Sequence, residues 1–459
     1  MGVRAGWNCH PSVNSGFPHP NFKEIFMHFH GSQTISRRRF LAAATAAGAA
    51  WAAPTLVSAT ALGKDGAVAA SDRIIVGGIG LGSRGGYVLS CFLPEPDVQF
   101  VAVADPKAKR REEIKKTVDA KYGNNNCATY RDFRELLGRD DIDAVLIATG
   151  PNWHATAAMT AALAGKDVYC EKPCTRNIAQ SLLLAETFRR TARVFQAGTQ
   201  RRSLPHFVFA IELARTGKLG KLTAVHAHPS PWDNSVKTSG WLPAEPQPPE
   251  EEIDWDLYLG PAAWRPYNKE IANRGSQFEK GGGMVGGGVL EWGSHCVDLC
   301  QWAADADHTA PIEYHPRTPD NRSIAVYASG TKLVIREDGW LPLGSCPVRF
   351  EGETGWVEAG DSGRLVVSSP ALLAGKKVAE IGGYPATFHV RNFLDCVKTR
   401  GQTVANADVA CNSHIACHAA NIAIFLERKL AYDPEKHVFL GDDEANRLRG
   451  EALRAPWRM

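Results

Sequence analysis

The sequence has almost no excess charge. Its 459 residues carry Lys+Arg 52 against Asp+Glu 49, a formal net charge of +3. That balance gives no reason to expect nucleic acid or an anionic membrane as the main partner. A regular cysteine framework is missing too. The 11 cysteines are odd in number and scattered, which excludes a small disulfide-stapled domain. Cys91, Cys170 and Cys417 stand in apolar contexts where a thiol is a small buried hydrophobe. No membrane span is expected: the one alanine-rich apolar stretch, Leu41 to Ala53, is about 13 residues, short of the roughly 20 that a helix needs to cross. Metal-ligand spacing is also lacking. His414 and His418 lie near Cys411 and Cys417, His226 and His228 share a strand, and Cys296 and Cys300 adjoin His295. None of these sets makes a clean three- or four-ligand pattern, so no metal is expected. There is no internal repeat, and no low-complexity tract outside the N-terminal region. A content of 44% hydrophobic and 22% charged residues excludes a disordered or fibrous chain.

The N-terminus reads as a targeting segment. Ser36-Arg37-Arg38-Arg39-Phe40-Leu41 precedes the alanine-rich stretch, and Val57-Ser58-Ala59 forms a small-residue cleavage pattern. Residues 1–59 are therefore read as a tail plus a twin-arginine export signal, with Met27 as an alternative start. The expected location is the periplasm or the exterior, with the twin-arginine translocase as a transient partner. That route carries folded proteins, so a cofactor would be loaded before export.

A nucleotide site is legible next. Arg73–Ile79 reads as a buried strand, followed by Gly80-Leu81-Gly82-Ser83-Arg84-Gly85 and a helix from Tyr87 to Leu93. A second strand, Val98–Ala104, ends at Asp105, 20 residues beyond Gly85. A G-x-G-x-x-G between strand and helix, with an acid at the end of the next strand, is a dinucleotide fingerprint. Gly80 permits the tight turn, Gly82 the approach of the pyrophosphate, and Gly85 close helix packing. The helix N-terminus offers N–H groups to phosphate. Asp105 would accept from the adenosine ribose hydroxyls and repel a 2′-phosphate. NAD is therefore expected, with NADP kept as the alternative by Arg84 and Arg110. Helices at Pro106–Tyr122, Asp132–Leu137, Trp153–Ala164 and Ile178–Thr191 alternate with strands at Ala144–Ala148, Asp167–Cys170 and Val194–Ala197. This alternation predicts a doubly wound parallel sheet, a Rossmann domain over residues 70–197. Ligands lie beyond the carboxyl ends of such strands. The cofactor-binding candidates are Gly80, Gly82, Ser83, Arg84, Gly85, Asp105, Thr149, Asn152, His154, Glu171 and Lys172.

Residues 198–459 read as an α+β domain. Short strands at Leu222–His228, Ser323–Ala328, Thr331–Arg336, Val348–Glu353, Gly355–Ala359 and Arg364–Ser368 predict a mainly antiparallel open sheet. Thr387–Arg400 reads as an amphipathic helix, and Val409–Lys429 as one buried all round. The loop from Pro229 to Asp254 is long enough to serve as a lid or an arm to a neighbouring subunit. Gly281–Gly288 reads as a flexible approach to the following helix.

Three motifs resemble the glucose–fructose oxidoreductase, inositol dehydrogenase and MocA-like oxidoreductases. They are Ala148-Thr149-Gly150-Pro151-Asn152-Trp153-His154, Gly165-Lys166-Asp167-Val168-Tyr169-Cys170-Glu171-Lys172-Pro173 and Gly283–Asp298. The chain looks most like an exported branch of that family. The resemblance implies hydride transfer between a sugar or polyol carbinol carbon and a tightly bound nicotinamide. It puts Lys172 of Glu-Lys-Pro beside the ring and the substrate hydroxyl, with His295 as its acid/base partner and Asp298 or Glu291 orienting them. Glu291 stands where the family has Asp, and Gly150 where it has Pro. An extra methylene in Glu291 moves its carboxylate by about 1 Å, a shift that can cost a hundredfold in rate. Expected substrate contacts are Trp153, Gln200, Trp264, Tyr267 and His295; His414 or His418 is an alternative sugar contact. Two other readings stay open: NAD-dependent, redox-assisted glycoside hydrolysis or elimination, and a non-catalytic sugar-binding protein on the same scaffold. By analogy the chain would form a dimer or tetramer.

Overall fold

Six strands of almost unbroken apolar sequence form the first sheet: β1 (Ile74–Ile79), β2 (Val98–Ala104), β3 (Ala128–Tyr130), β4 (Ala144–Ile147), β5 (Asp167–Cys170) and β6 (Phe195–Ala197). In the computed structural model, which describes residues 68–228, 242–274 and 289–457, they lie in the order β3-β2-β1-β4-β5-β6. Every neighbouring pair is parallel. Strands of this kind are apolar throughout because helices cover both faces. The order reverses between β1 and β4, and the crevice above that point is where a doubly wound sheet binds ligands. Residues 1–59, where an export signal is expected, the first part of the Pro229–Asp254 loop and Gly281–Gly288 lie outside the described residues.

The helices of this lobe follow local signals. Asn177 accepts from the Gln180 amide and starts the helix Ile178–Thr191, and Asp132 likewise caps Phe133–Leu137 from the Arg134 amide. Each satisfies an amide that helix geometry leaves unpaired. The first helix begins at Ser83 rather than Tyr87, because the last glycine of the phosphate motif is itself helical.

The second sheet comprises β7 (Leu222–Ala227), β8 (Glu313–Tyr314), β9 (Ser323–Val326), β10 (Lys332–Ile335), β11 (Val348–Gly352), β12 (Trp356–Ala359), β13 (Leu365–Val367), β14 (Leu430–Asp433) and β15 (Val438–Phe439). Its order is β13-β12-β11-β7-β10-β9-β8-β14-β15. The pair β7/β10 is parallel and the other pairs are antiparallel. The helices Pro205–Arg215, Leu290–Ala303 and Ala407–Phe425 share its hydrophobic core.

Chain order and packing diverge late in the sequence. Helix Thr387–Thr399 buries Val390, Phe393, Leu394 and Val397 in the core of the first sheet, beside Leu89, Phe92 and Tyr169. The Phe393 ring meets Phe92 at 6.2 Å and Tyr169 at 5.9 Å, both edge-on. Trp457, at the C-terminal end, meets Trp153 at 4.8 Å. Two buried ion pairs tie the turn after β6 to the second lobe: Arg201–Asp361 at 2.7 Å and Arg202–Asp298 at 2.6 Å. Removing one partner of such a pair strands a buried charge, at a cost of roughly 3–5 kcal/mol.

Candidate active site

The glycine motif has three distinct geometries. Gly80 has φ +67°, and a Cβ there would sit 2.3 Å from Thr149 Cγ2 and 2.8 Å from Thr149 Cα. Only glycine fits. At Gly85 a Cβ would meet Ala148 and Leu81 at 3.0 Å, so the helix packs close to the strands. At Gly82 a Cβ would meet nothing within 4 Å. That open space lies at the first turn of the helix Ser83–Phe92, whose N-cap, Gly82, has no side chain to satisfy the first amides. A phosphate is the natural partner for them. Beside it is an open cleft with about 270 Å³ of empty space, bordered by Gly80, Asp105, Arg131, Thr149, Trp153 and Leu257. Asp105 is buried and accepts from the Lys107 amide at 2.9 Å, and burial pushes its carboxyl up to about 6. A glycine cradle with room at Gly82, a helix N-terminus without a side-chain cap and a buried acceptor at the end of β2 fit a dinucleotide.

The reactive residues meet where the turn after β5 faces the helix Leu290–Ala303. Lys172 Nζ donates to the Glu291 carbonyl at 2.8 Å and to Glu291 Oε1 at 3.0 Å. It also lies 5.6 Å from the centre of the Trp292 ring. His295 is one helical turn beyond Glu291, so both point the same way. The imidazole is buried, and its Nδ1 has no hydrogen-bond partner among the described residues. Burial, followed by the positive charges of Arg201, Lys172 and Arg84, holds it well below its ordinary pKa. Lys172 is thus bonded to Glu291, and His295 lies within electrostatic reach of Lys172.

Other candidates fall elsewhere. Asp298 does not orient His295: its Oδ2 receives Arg202 at 2.6 Å and its Oδ1 receives the Ser413 hydroxyl at 2.6 Å. Both oxygens are used in holding the lobes. Gln200 is wholly buried and donates to Glu171 Oε1 at 2.7 Å and to the Tyr169 hydroxyl at 3.0 Å, so it holds the turn rather than facing a substrate. Glu171 also takes Arg84 at 3.2 Å, which draws that guanidinium toward the turn after β5. A Cβ on Gly198 would lie 2.7 Å from the Glu171 carboxyl carbon, so this glycine makes the room.

Trp153 is no sugar platform. Its ring lies edge-on to Phe133 at 5.1 Å and to Trp457 at 4.8 Å, and Nε1 donates to the Leu257 carbonyl at 2.8 Å. Trp264 is exposed, and Tyr267 packs edge-on against Trp255 in a local cluster. Asn152 spends its amide on the Tyr258 and Leu259 carbonyls at 3.2 and 2.9 Å. His154 Nδ1 donates to the Pro173 carbonyl at 2.7 Å, which fixes the turn that carries Lys172, and burial lowers its pKa to about 4. His414 is also committed: Nε2 accepts from the Cys174 amide at 2.9 Å and Nδ1 donates to the Ala410 carbonyl at 2.6 Å. Among the described residues no three His, Cys, Asp or Glu side chains are grouped to hold a metal ion.

Three site neighbours escaped the sequence reading. Arg201 lies 5.6 Å from the Trp292 ring centre and 4.7 Å from that of Tyr384, and Arg84 lies 5.4 Å from the same tyrosine. Trp292 is adjacent to Glu291, the one signal available. Tyr384 and Arg201 come from remote segments with no motif.

Comparison with known proteins identifies the family. Residues 74–199 match the oxidoreductase family, NAD-binding Rossmann fold, and residues 215–459 match the oxidoreductase family, C-terminal alpha/beta domain. The chain is 26% identical over 313 residues to an uncharacterised oxidoreductase of Synechocystis sp., covering 66% of this chain and 73% of that one. A glycosyl hydrolase family 109 protein of Saccharopolyspora erythraea is 36% identical over 129 residues, 27% of this chain and 28% of its own. A myo-inositol 2-dehydrogenase of Thermotoga maritima is 28% identical over 172 residues, 36% of this chain and 49% of its own. The chain thus spans less than half the length of these last two relatives. In fold it is similar to an aldose-aldose oxidoreductase from Caulobacter crescentus, with a TM-score of 0.56 at 17% identity over 78% of this chain and 99% of that one. The chain belongs to the glucose–fructose oxidoreductase/inositol dehydrogenase/MocA oxidoreductase family, and its N-terminal lobe is the NAD-binding domain.

Proposed function

We propose that this chain is an exported oxidoreductase that transfers a hydride between a carbinol carbon of a sugar or polyol and a resident NAD, the carbinol becoming a carbonyl in the forward direction. The observation that carries the reading is the convergence of Lys172 Nζ, Glu291 and His295 at the ligand edge of the parallel sheet. NAD, when bound, supplies a hydride acceptor. The chain's residues handle the proton. Lys172 is held in place by two Glu291 oxygens and, once deprotonated, takes the proton of the hydroxyl whose carbon is oxidised. His295 stays neutral because burial and neighbouring cations disfavour its charged form. It can therefore hold the same hydroxyl by a hydrogen bond while Lys172 takes the proton. Positioned acid–base groups of this kind contribute about 10²–10⁴-fold. Gly82 and the following helix amides hold the pyrophosphate, and Asp105 the adenosine ribose, whose 2′-phosphate it would repel; this favours NAD over NADP.

Export rests on the Ser36–Leu41 pattern and the small-residue run after it. No nicotinamide pool is expected outside the cytoplasm, so the cofactor stays bound and is recycled by a second sugar. The relatives named for myo-inositol and aldose chemistry support the substrate class. The purified protein should carry NAD by native mass spectrometry. Absorbance at 340 nm should rise when an aldose or polyol panel is added and fall with a second sugar. A protein that releases NAD freely and turns over only with millimolar NAD would sink the resident-cofactor reading.

A second reading has one specific support, the glycosyl hydrolase family 109 relatives. The same oxidation acidifies the neighbouring C–H, after which the leaving group departs, water adds, and the hydride returns to the oxidised carbon. Glycosides incubated in heavy water would then release aglycone and carry deuterium beside the oxidised carbon. Hydride transfer without aglycone release excludes it.

A further inference from the structure

We propose that residues 242–274 form a strap over the adenosine half of the cofactor cleft, so that NAD enters and leaves only when the strap lifts. The proposal rests on the assignment of NAD to the N-terminal lobe and is independent of the sugar reading.

The strap is tied to both rims of the cleft. One rim is the turn after β2. There Lys107 and Ile253 form an antiparallel bridge, the Ala108 amide donates to the Glu252 carbonyl at 3.0 Å, and the Asp254 amide donates to the Pro106 carbonyl at 3.1 Å. Lys107 Nζ donates to the Ala272 carbonyl and lies 4.7 Å from the Tyr258 ring centre. The other rim is the start of the helix Pro151–Leu163. From it Asn152 and Trp153 donate to the carbonyls of residues 257–259 at 2.8–3.2 Å. Between the rims, Arg131 pairs with Glu250 at 2.6 Å. Leu257 of the strap itself borders the adenosine cleft.

The fit against Trp153 requires a specific backbone. Gly260 has φ +51°, and a Cβ on it would lie 2.2 Å from the Trp153 ring. The strap has its own apolar cluster of Ile253, Trp255, Leu259, Ala262, Ile271 and Ala272. A segment with its own core can move as one body. From the far side Arg454 holds it, donating to the Gly260 carbonyl at 2.9 Å, to Asp256 Oδ1 at 2.5 Å and to the Asp256 carbonyl at 2.9 Å. Asn152, Trp153 and Lys107 are thus positioning residues: they act on the cofactor by holding what covers it.

A gate has a kinetic signature that a simple contact lacks. Loosening a gate raises association and dissociation rates together, whereas losing a ligand contact raises dissociation alone. The test uses NADH fluorescence in stopped flow on the full protein. Arg454→Ala removes the side-chain bonds to Asp256 and Gly260 without touching the cleft. Both NADH rates should rise about tenfold, the scale of one or two lost charge-assisted hydrogen bonds, with the dissociation constant changed less than about threefold. The reverse experiment replaces the facing bridge residues, Lys107→Cys with Ile253→Cys. Facing residues of an antiparallel pair lie within disulfide reach. Oxidation should slow both rates at least about tenfold, and dithiothreitol should restore them. The cross-linked protein before and after reduction is its own control, so the question is decided even if Arg454→Ala fails to fold. A rise in dissociation alone in Arg454→Ala, or a cross-link that leaves both rates unchanged, overturns the proposal. A protein that takes up no NADH in any form overturns the cofactor assignment instead.

Discussion

Two glycines of one motif should fail in opposite ways when given a methyl group. At Gly82 an added Cβ meets nothing within 4 Å, and the backbone, φ −72° and ψ −157°, suits any L residue. The folded chain therefore has no steric objection to Gly82→Ala. The remaining cost is the poorer N-cap, up to about 1 kcal/mol. The space the methyl enters is where the pyrophosphate must approach the helix amides. Overpacking a fitted contact costs about 1–3 kcal/mol, which is about 5- to 150-fold in NAD affinity. At Gly80 the same methyl would sit 2.3 Å from Thr149 and on a backbone with φ +67°. Gly80→Ala should lose stability outright, with strain of about 1–3 kcal/mol before the clash is counted. Thermal melts of the cofactor-free variants and calorimetric titration with NAD separate the two. Gly82→Ala should melt near the parent protein and bind NAD at least about fivefold more weakly; Gly80→Ala should melt early. If Gly82→Ala binds NAD as tightly as the parent, the cradle is not where the pyrophosphate lies, and the placement of the cofactor fails with it.

Replacing Lys172 with Met should lower single-turnover reduction of bound NAD by at least about a hundredfold and leave NAD affinity within about twofold; an equal loss of affinity would make Lys172 a binding residue only. Glu291→Gln should change stability by less than about 1 kcal/mol, because the Lys172–Glu291 pair is partly exposed on the glutamate side and such pairs contribute little. Turnover should nevertheless fall and its pH profile shift, and an unchanged profile would remove Glu291 from the proton path. Buried histidines should make the cofactor-free protein acid-sensitive. Burial holds His154 and His389 at about 4 and His418 at about 3, against 6.5 for a free imidazole. The unfolded chain binds those protons first, so stability is full above pH about 6.5 and is lost as pH falls toward 4. Three rings contribute about 4 kcal/mol per pH unit near pH 5.5, and Asp105, raised to about 6, opposes them by about 1. Urea midpoints at pH 6 and 5 should fall accordingly, and His389→Gln should flatten the slope by about one proton; a slope unchanged by that substitution would refute the assignment. Phe393→Ala should cost about 3–5 kcal/mol in a urea melt, since the ring is wholly buried against Phe92 and Tyr169. A loss under 1 kcal/mol would show that the late helix does not belong to the first core.

Local patterns determined a good part of this protein. Val98–Ala104, Asp167–Cys170 and Ile178–Thr191 have the same limits in the sequence reading and in the structure, because short, mostly apolar runs alternating with helical segments signal themselves within a few residues. The glycine motif and Asp105 were legible because their spacing between strand and helix is itself the signal, whereas Glu291 and His295 were picked out by the resemblance to the oxidoreductase family. Contacts that depend on the chain's return were not legible. Asp298 was read as a partner of His295 three residues away, but the side chain that claims it is Arg202, from the turn after β6. Trp153 looked like a sugar platform until Phe133, Leu257 and Trp457 closed around it. The Thr387–Thr399 helix showed its apolar face, yet nothing in it says which sheet that face covers. Periodicity tells which side of an element is buried; only tertiary packing chooses the partner, since burial energy is non-directional and many apolar faces would serve.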